Sequence, residues 1–214
     1  MQRSVNGSLA IPTLQAILDV DTAARAGWDP AALAQACLDG GARFLQVRAK
    51  HLPSGALLTL CESIVRLASP HGAVVIVNDR VDVARVSGAA GAHVGQDDLA
   101  PADARALLGA DAILGYSTHG VAQFEDALRE PVSYIAVGPI FGTRTKDTGY
   151  EAVGLDLVAA ARRLTDRPIV AIGGITLENA PSVIAAGASC VAVISDLLTG
   201  GDPHARVRRF VETL

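Results

Sequence analysis

The sequence of 214 residues has few cysteines, few aromatic residues and no long apolar run. Its three cysteines, Cys37, Cys61 and Cys190, form no CxxC pair and no ligand-like spacing with the histidines, so we interpret them as small buried hydrophobic residues. Aromatic residues make up only 4%, too few for a surface that stacks nucleic-acid bases. Apolar runs such as 191–194 fall far short of the roughly 18 residues that a membrane-spanning helix needs.

An excess of charge of one sign is also lacking. Lys and Arg number 18 and Asp and Glu 22, which gives a formal net charge of −4 and argues against nucleic acid as a partner. The N-terminal stretch contains Pro12 and Gln15 and soon reaches Asp19, which makes it a poor signal-peptide core. We therefore expect one cytoplasmic domain over residues 1–214, with residues 1–10 disordered and no membrane partner. A homo-oligomer is compatible with these features.

One alternation runs through the whole chain, in which short runs rich in β-branched residues are followed by longer helix-compatible stretches. This is the βα pattern of a parallel sheet. The predicted strands are 14–20, 43–49, 74–79, 92–96, 113–117, 134–140, 168–173 and 190–195. The predicted helices are 30–39, 55–67, 81–86, 101–108, 121–128, 155–164, 180–186 and 203–213, with Ser54 and Asn179 as predicted N-caps. Eight βα units in a chain of this length favour an α/β fold with a single (β/α)8 TIM barrel over an open doubly wound sheet.

Polar residues at the carboxyl ends of the strands are the candidates for an active site, because barrel enzymes place their chemistry there. On the second strand, alternation places Gln46, Arg48 and Lys50 on one face and apolar residues on the other. If the apolar face packs on the helices, two positive charges point into the barrel mouth, where burial without an anion would be costly. We interpret these three residues as an anion-binding ladder, the alternative being an edge strand with a solvated face.

Carboxylates follow the next two strands. Asp79 ends the third strand, and Asp97 and Asp98 follow the fourth. Because consecutive strands are neighbours in a barrel, Asp79 and one of the other two can converge at the mouth. Mg²⁺ prefers oxygen ligands and typically binds through one or two carboxylates, waters and substrate phosphates. Each aspartate alone would more simply be a turn or cap residue, and their joint placement favours a metal site.

Hydroxyl groups and further charges follow the fifth and sixth strands. Ser117 and His119 come after the fifth strand, where they could also serve only as a helix cap and a satisfied polar residue. The loop after the sixth strand carries Thr143, Thr145 and Lys146 between glycines, a composition suited to closing over phosphate groups. A solvated loop with incidental charge would look similar.

Two glycines, Gly173 and Gly174, follow the seventh strand, and Ile194 and Ser195 end the eighth. Exposed backbone N–H groups at this position hold a substrate phosphate in many barrels. A tight βα turn explains one glycine better than two. We therefore predict phosphate binding here.

These motifs occur together in one family. The runs are QVRAK at 46–50, NDRVDVA at 78–84, HVGQDDL at 93–99, GPIFGTRTK at 138–146, AIGGI at 171–175 and Ile194-Ser195. In this order and over nearly the whole chain from about Leu14, they resemble thiamine phosphate synthase, also called thiamine-phosphate pyrophosphorylase. The family often has proline where this chain has Gly142, a difference that bears on the rigidity of the loop.

The resemblance implies an Mg²⁺-dependent transferase that joins hydroxymethylpyrimidine diphosphate to thiazole phosphate and releases pyrophosphate. It implies Asp79 and Asp98 as Mg²⁺ ligands. It implies that the pyrimidine substrate is bound by Gln46, Arg48, Lys50, Asn78, Ser117 and Lys146, of which Arg48, Lys50, Ser117 and Lys146 would be catalytic. It implies that the thiazole phosphate is bound by Thr143, Thr145, Gly174, Ile194 and Ser195, with Gly173 as the alternative to Gly174.

Two other classes of function remain open from the sequence. The related thiazole tautomerase, an isomerase on the same barrel, needs the thiazole phosphate site and an acid or base such as His119, but not the metal carboxylates. A phosphosugar-type barrel isomerase is a more distant alternative, and a non-catalytic phosphate-binding barrel is another. Asp79 and the ladder on the second strand favour the synthase, because the alternatives leave metal-type carboxylates beside cationic groups unexplained.

Overall fold

Eight parallel strands form a closed barrel in the computed structural model, which describes residues 10–142 and 151–214. The strands are β1 (Leu14–Asp19), β2 (Phe44–Arg48), β3 (Val74–Asn78), β4 (Gly91–Val94), β5 (Ile113–Thr118), β6 (Tyr134–Val137), β7 (Ile169–Ile172) and β8 (Cys190–Val193). The α-helices within those residues are α1 (Val20–Arg25), α2 (Pro30–Asp39), α3 (Ser54–Ala68), α4 (Val81–Ser87), α5 (Pro101–Leu108), α6 (Val121–Ala127), α7 (Gly154–Leu164), α8 (Ala180–Ala185) and α9 (Pro203–Thr213). The predicted (β/α)8 barrel is confirmed.

The strands follow chain order around the barrel, and β8 closes it by pairing with β1. Side chains alternate along each strand, so that Ala16 and Leu18 of β1 join the apolar layer under the helices. Ile17 points the other way and packs inside the barrel with Phe44 and Tyr134. This inner cluster fills the barrel, and the polar residues toward the carboxyl ends of the strands stand above a packed floor.

Seven of the eight strands end one to three residues earlier than the sequence pattern predicts, and for two of them the structure shows the reason. The first ends at Asp19 because that side chain accepts a hydrogen bond from the Thr22 N–H (2.8 Å) and caps α1, a helix absent from the prediction. The sixth ends at Val137, where the chain enters Gly138 and Pro139, because proline cannot donate to the next strand.

The predicted helix caps are only partly right. Pro53, not Ser54, precedes α3, and the Ser54 hydroxyl accepts a hydrogen bond from Arg80 Nη1 (3.0 Å) instead. Asn179 stands before α8, but its side chain accepts from the Thr176 N–H (2.8 Å) and gives the helix no cap bond.

The three cysteines are free and fully buried, as predicted. Burial raises the pKa of Cys37 and of Cys61 to about 12, the latter with help from Glu62, so both thiols stay protonated at neutral pH. No helix among the described residues is long and apolar enough to cross a membrane.

Candidate active site

A cavity of about 540 Å³ opens among the strand ends and the loops that follow them. Every predicted site residue that the structure describes lines this cavity, namely Gln46, Arg48, Lys50, Asn78, Asp79, Asp98, Ser117, Gly174, Ile194 and Ser195. The predicted residues Thr143, Thr145 and Lys146 lie outside the described residues. The barrel therefore brings to one place side chains that come from six different strands or the loops after them.

The predicted ladder on β2 faces the cavity, with Gln46 only 3% exposed at its lower end. Arg48 lies opposite Asp19 in the register of β1 and β2 and forms an ion pair with it. Burial opposes ionisation of Asp19, but hydrogen bonds from Thr22 and Arg48 outweigh it and hold the pKa of Asp19 below its usual value. Asp19, a residue that the sequence pattern did not single out, thus anchors the ladder's arginine as a charged partner.

Lys50 and Asp79 pair across the mouth, with Lys50 Nζ 2.5 Å from Asp79 Oδ2. Asp79 has a φ of 61°, a left-handed backbone that glycine adopts freely, aspartate and asparagine occasionally, and other residues rarely. Its N–H donates to the His93 carbonyl oxygen at 2.7 Å, which ties the end of β3 to β4. Strained residues of this kind cluster at functional sites, and here the strain directs a carboxylate toward the neighbouring strand end.

Asp98 is the carboxylate that meets Asp79. Its Oδ2 accepts a hydrogen bond from the Gly95 N–H (2.7 Å). Burial raises the pKa of Asp98, and the neighbouring Asp79 carboxylate raises it further. Asp97 also lines the cavity but is exposed. Two carboxylates that repel each other in this way favour a shared cation.

The two carboxylates of Asp79 and Asp98 suit Mg²⁺ better than a metal ion whose ligands all come from the protein. In the parts of the chain that the structure describes, no three His, Cys, Asp or Glu residues cluster as metal ligands. Mg²⁺ typically keeps several waters and binds through one or two carboxylates plus substrate phosphates, so Asp79 and Asp98 are a sufficient protein contribution.

The raised pKa of Asp98 predicts a pH-dependent cost to stability. A carboxyl group whose pKa is higher in the folded than in the unfolded protein contributes stability at a pH below its usual pKa. This contribution is lost as the pH rises through the pKa of the folded protein. In EDTA at neutral pH, Asp98→Asn is therefore expected to have a higher Tm than the wild type, with the difference shrinking in acid. Mg²⁺ should raise the Tm of the wild type and not that of the variant. A lower Tm of the variant at neutral pH in EDTA would contradict the carboxylate repulsion.

Ser117 is held by a histidine that sequence reasoning missed. His93 Nε2 lies 2.8 Å from Ser117 Oγ, and His93 Nδ1 lies 2.9 Å from the Tyr134 hydroxyl. The signal was present in the alternation of β4, where His93 stands between two residues that pack outward, Ala92 and Val94. His119, the other candidate after β5, lines the cavity with Nδ1 2.6 Å from the Gly138 carbonyl oxygen.

Both glycines after β7 have left-handed backbones, with φ of 102° at Gly173 and 64° at Gly174. A Cβ on Gly174 would stand 2.7 Å from the Gly142 carbonyl oxygen, and one on Gly173 would stand 2.5 Å from Pro139 Cα. The backbone at these two glycines therefore packs directly against the loop after β6. This close approach explains why both positions need glycine.

Gly174→Ala is expected to lower the free energy of unfolding by about 1–3 kcal/mol, because the new Cβ meets both an unfavourable φ and the backbone of the β6 loop. Gly55→Ala is the matched control, since Gly55 lies in α3 with nothing within 4 Å of an added Cβ. Alanine there is expected to be neutral or stabilising. Urea unfolding of both variants checks this, and equal changes would contradict it.

A buried ion pair joins the turn after β8 to α9, and its carboxylate also accepts a hydrogen bond from the loop after β7. Asp196, next to Ser195, accepts hydrogen bonds from the Leu177 N–H (3.0 Å) and from Arg206 Nη2 (2.7 Å) of α9. Both side chains are nearly inaccessible to solvent. This pair was not visible in the sequence because it joins two polar residues ten positions apart across a turn and a helix.

Acidic side chains outnumber basic ones in the described part of the barrel mouth, so an anion bound there needs an additional cation. Among the described residues that line the cavity, Arg48 and Lys50 are basic, while Asp79, Asp97, Asp98 and Asp196 are acidic, the last of them paired with Arg206. Both basic side chains already pair with a carboxylate. A diphosphate in this place would therefore need a cation at the carboxylates.

Comparison with known proteins gives a consistent result. The family model described as thiamine monophosphate synthase matches residues 17–197. The thiamine-phosphate synthase of Koribacter versatilis is 42% identical over 211 residues, which cover 96% of this chain and 97% of that protein. The thiamine-phosphate synthase of Anaeromyxobacter dehalogenans is 43% identical over 183 residues, or 86% and 82% of the two chains. Among solved structures, thiamine phosphate pyrophosphorylase from Pyrococcus furiosus superposes with a TM-score of 0.86 at 25% identity, over 94% of each chain.

Proposed function

The chain belongs to the thiamine monophosphate synthase family and is a transferase of thiamine biosynthesis, and we propose that it joins hydroxymethylpyrimidine diphosphate to thiazole phosphate with Mg²⁺ and releases pyrophosphate. The observation that carries the proposal is the facing pair Asp79 and Asp98 beside the two cations of the β2 ladder. A tautomerase of the thiazole alone would need neither the carboxylate pair nor a second cationic site.

The ladder residues act on the diphosphate. Breaking the bond between carbon and the diphosphate oxygen leaves negative charge on the departing group, and preorganised cations stabilise such charge. Arg48 is held in place by Asp19, and Lys50 by Asp79, so neither needs to reorganise as the bond breaks. We assign Gln46 and Asn78 to the same substrate, and Lys146 as a further cation from the loop after β6.

Asp79 and Asp98 would hold Mg²⁺. When bound there, the ion supplies positive charge that offsets the charge on the diphosphate oxygens. The cation would also reduce the repulsion between the two carboxylates. The raised pKa of Asp98 reflects burial and this repulsion, and it therefore supports a cation at this place.

The second substrate fits the opposite side of the mouth. We assign the thiazole phosphate to the backbone at Gly174 and to Ile194 and Ser195, with Thr143 and Thr145 of the β6 loop. Support comes from the cavity lining, where Gly173 and Gly174 lie together with Ile194 and Ser195. The electron-rich aminopyrimidine can support a methylene cation, and the thiazole nitrogen would attack that carbon without a protein nucleophile.

A coupled assay for pyrophosphate tests the proposal. Release is expected only when the pyrimidine diphosphate, the thiazole phosphate and Mg²⁺ are all present. Full turnover in EDTA would overturn the metal assignment, and isomerisation of the thiazole without pyrophosphate would favour the tautomerase.

The loop after β6 is proposed to protect the site during the reaction. Limited proteolysis with both substrates is expected to cut more slowly within 141–154 than without them, because the glycines in this stretch of the sequence make it costly to hold in one conformation and bound substrates would offset that cost. Equal cleavage in both states would count against closure.

We also propose a cytoplasmic protein whose residues 1–214 form one domain, with small-molecule substrates and no nucleic-acid partner. The three buried free thiols and the closure of the barrel between β1 and β8 support this setting. Assembly into a homo-oligomer stays a prediction, which light scattering on the purified protein tests.

A further inference from the structure

A hydrogen-bonded chain of three side chains crosses the barrel interior beneath the cavity. The Tyr134 hydroxyl of β6 lies 2.9 Å from His93 Nδ1 of β4, and His93 Nε2 lies 2.8 Å from Ser117 Oγ of β5. The rings of Tyr134 and His93 stack with their centroids 5.6 Å apart. Ser117 and His93 line the cavity, whereas Tyr134 is fully buried. These hydrogen bonds therefore connect the apolar interior of the barrel to Ser117, a residue assigned to the pyrimidine substrate.

A glycine on β5 leaves the space that the Tyr134 and His93 rings occupy. A Cβ on Gly115, between β4 and β6, would stand 2.1 Å from Tyr134 Cζ and 2.5 Å from His93 Nδ1. Only glycine at this point of β5 leaves space for the two rings to meet. The contact between the two rings therefore depends on the residue at position 115 and is specified by the sequence.

The direction of the hydrogen bonds follows from Tyr134. Burial raises the pKa of Tyr134, so the phenol is neutral and keeps its proton. The Gln15 amide lies close enough to favour the phenol oxygen as an acceptor, although Gln15 Nε2 completes no hydrogen bond among the described residues. A buried hydroxyl needs an acceptor for its proton, and His93 Nδ1 is in place to serve as one.

We propose that Tyr134 and His93 are positioning residues that make the Ser117 hydroxyl a hydrogen-bond donor toward the substrate. Tyr134 donates to Nδ1, neutral His93 carries its proton on Nε2 and donates to Ser117 Oγ, and the Ser117 proton turns to the cavity. Ser117 then selects a ligand with an acceptor at this place, such as a ring nitrogen of the aminopyrimidine, rather than its amino group. The role of Ser117 rests on the proposed function, whereas the tautomer of His93 does not.

Nitrogen NMR of the ¹⁵N-histidine-labelled protein tests the tautomer directly. The His93 signals are those lost in His93→Gln. We expect the neutral Nε2–H form in the wild type and loss of this preference in Tyr134→Phe, which removes the donor and keeps the ring. An Nδ1–H form or an imidazolium in the wild type would overturn the proposal.

A pair of amide variants tests the effect on the reaction. The amide nitrogen of glutamine can reach the place of Nε2 and donate to Ser117, whereas that of asparagine reaches only the place of Nδ1. We expect His93→Asn to raise KM for the pyrimidine diphosphate about 10- to 100-fold, the effect of one lost buried hydrogen bond, with KM for thiazole phosphate unchanged. His93→Gln should recover most of this loss. Equal losses in both variants would overturn the positioning role.

Failure of this inference and failure of the proposed function are distinguishable. Synthesis by a wild type with the Nδ1–H tautomer would refute the inference alone. The Nε2–H tautomer in a protein that makes no thiamine phosphate would refute the function alone. Tyr134→Phe serves as the second variant if His93→Asn does not fold, because it leaves the packing of the ring in place.

Discussion

Asp79→Asn is expected to lower the rate of pyrophosphate release by about 100-fold or more, since it removes a charge that the metal and the departing diphosphate both depend on. Asparagine tolerates the left-handed backbone at this position better than most residues, so the fold should survive. The loss should appear in kcat at saturating substrates, with a raised requirement for Mg²⁺. Steady-state release of pyrophosphate at several Mg²⁺ concentrations measures both.

Asp97→Asn is the matched control for this substitution. Asp97 lies next to Asp98 and lines the same cavity, so its replacement removes the same charge from the same mouth. Because it is Asp98 that meets Asp79, Asp97→Asn should change the Mg²⁺ requirement little. If the two variants were equally impaired, general electrostatics rather than a metal site would explain the effect.

Arg48→Ala is expected to reduce kcat/KM for the pyrimidine diphosphate by about 100- to 1,000-fold, a loss typical of removing one preorganised charge donor. Binding of thiazole phosphate should stay unchanged, because the proposed site for that phosphate lies on the loops after β7 and β8. Calorimetric titration with thiazole phosphate alone measures the second quantity. A similar loss in kcat/KM for the pyrimidine diphosphate and in affinity for thiazole phosphate would show that the two anions share one site.

The ion pair with Asp19 calls for a second variant. Removing Arg48 alone leaves the largely buried Asp19 charge without its partner, which is itself destabilising. Asp19→Asn combined with Arg48→Ala removes both charges, and asparagine is still able to cap α1. The double variant should recover stability but not synthesis. Recovery of synthesis would mean that Arg48 acts only through folding.

The order of strands and helices could be predicted from the sequence because each βα unit repeats a local pattern. Alternation along β2 placed Gln46, Arg48 and Lys50 on the inner face correctly. Chain order then brought Asp79 and Asp98 together, since consecutive strands are neighbours in a barrel.

The partners of these residues could not be predicted, because they depend on register and on contacts distant in sequence. Asp19 meets Arg48 only through the pairing of β1 with β2. His93 meets Tyr134 only because Gly115 leaves the space. Local pattern identifies which side chains point inward, and the three-dimensional register decides what each of them touches.

The most direct test of the central claim is the stoichiometry of the reaction catalysed by the purified protein. Pyrimidine diphosphate, thiazole phosphate and Mg²⁺ are supplied together, and pyrophosphate and thiamine phosphate are measured in the same sample. Equal amounts of the two products are predicted, with neither formed when any one component is left out. Consumption or isomerisation of thiazole phosphate without pyrophosphate would contradict the claim.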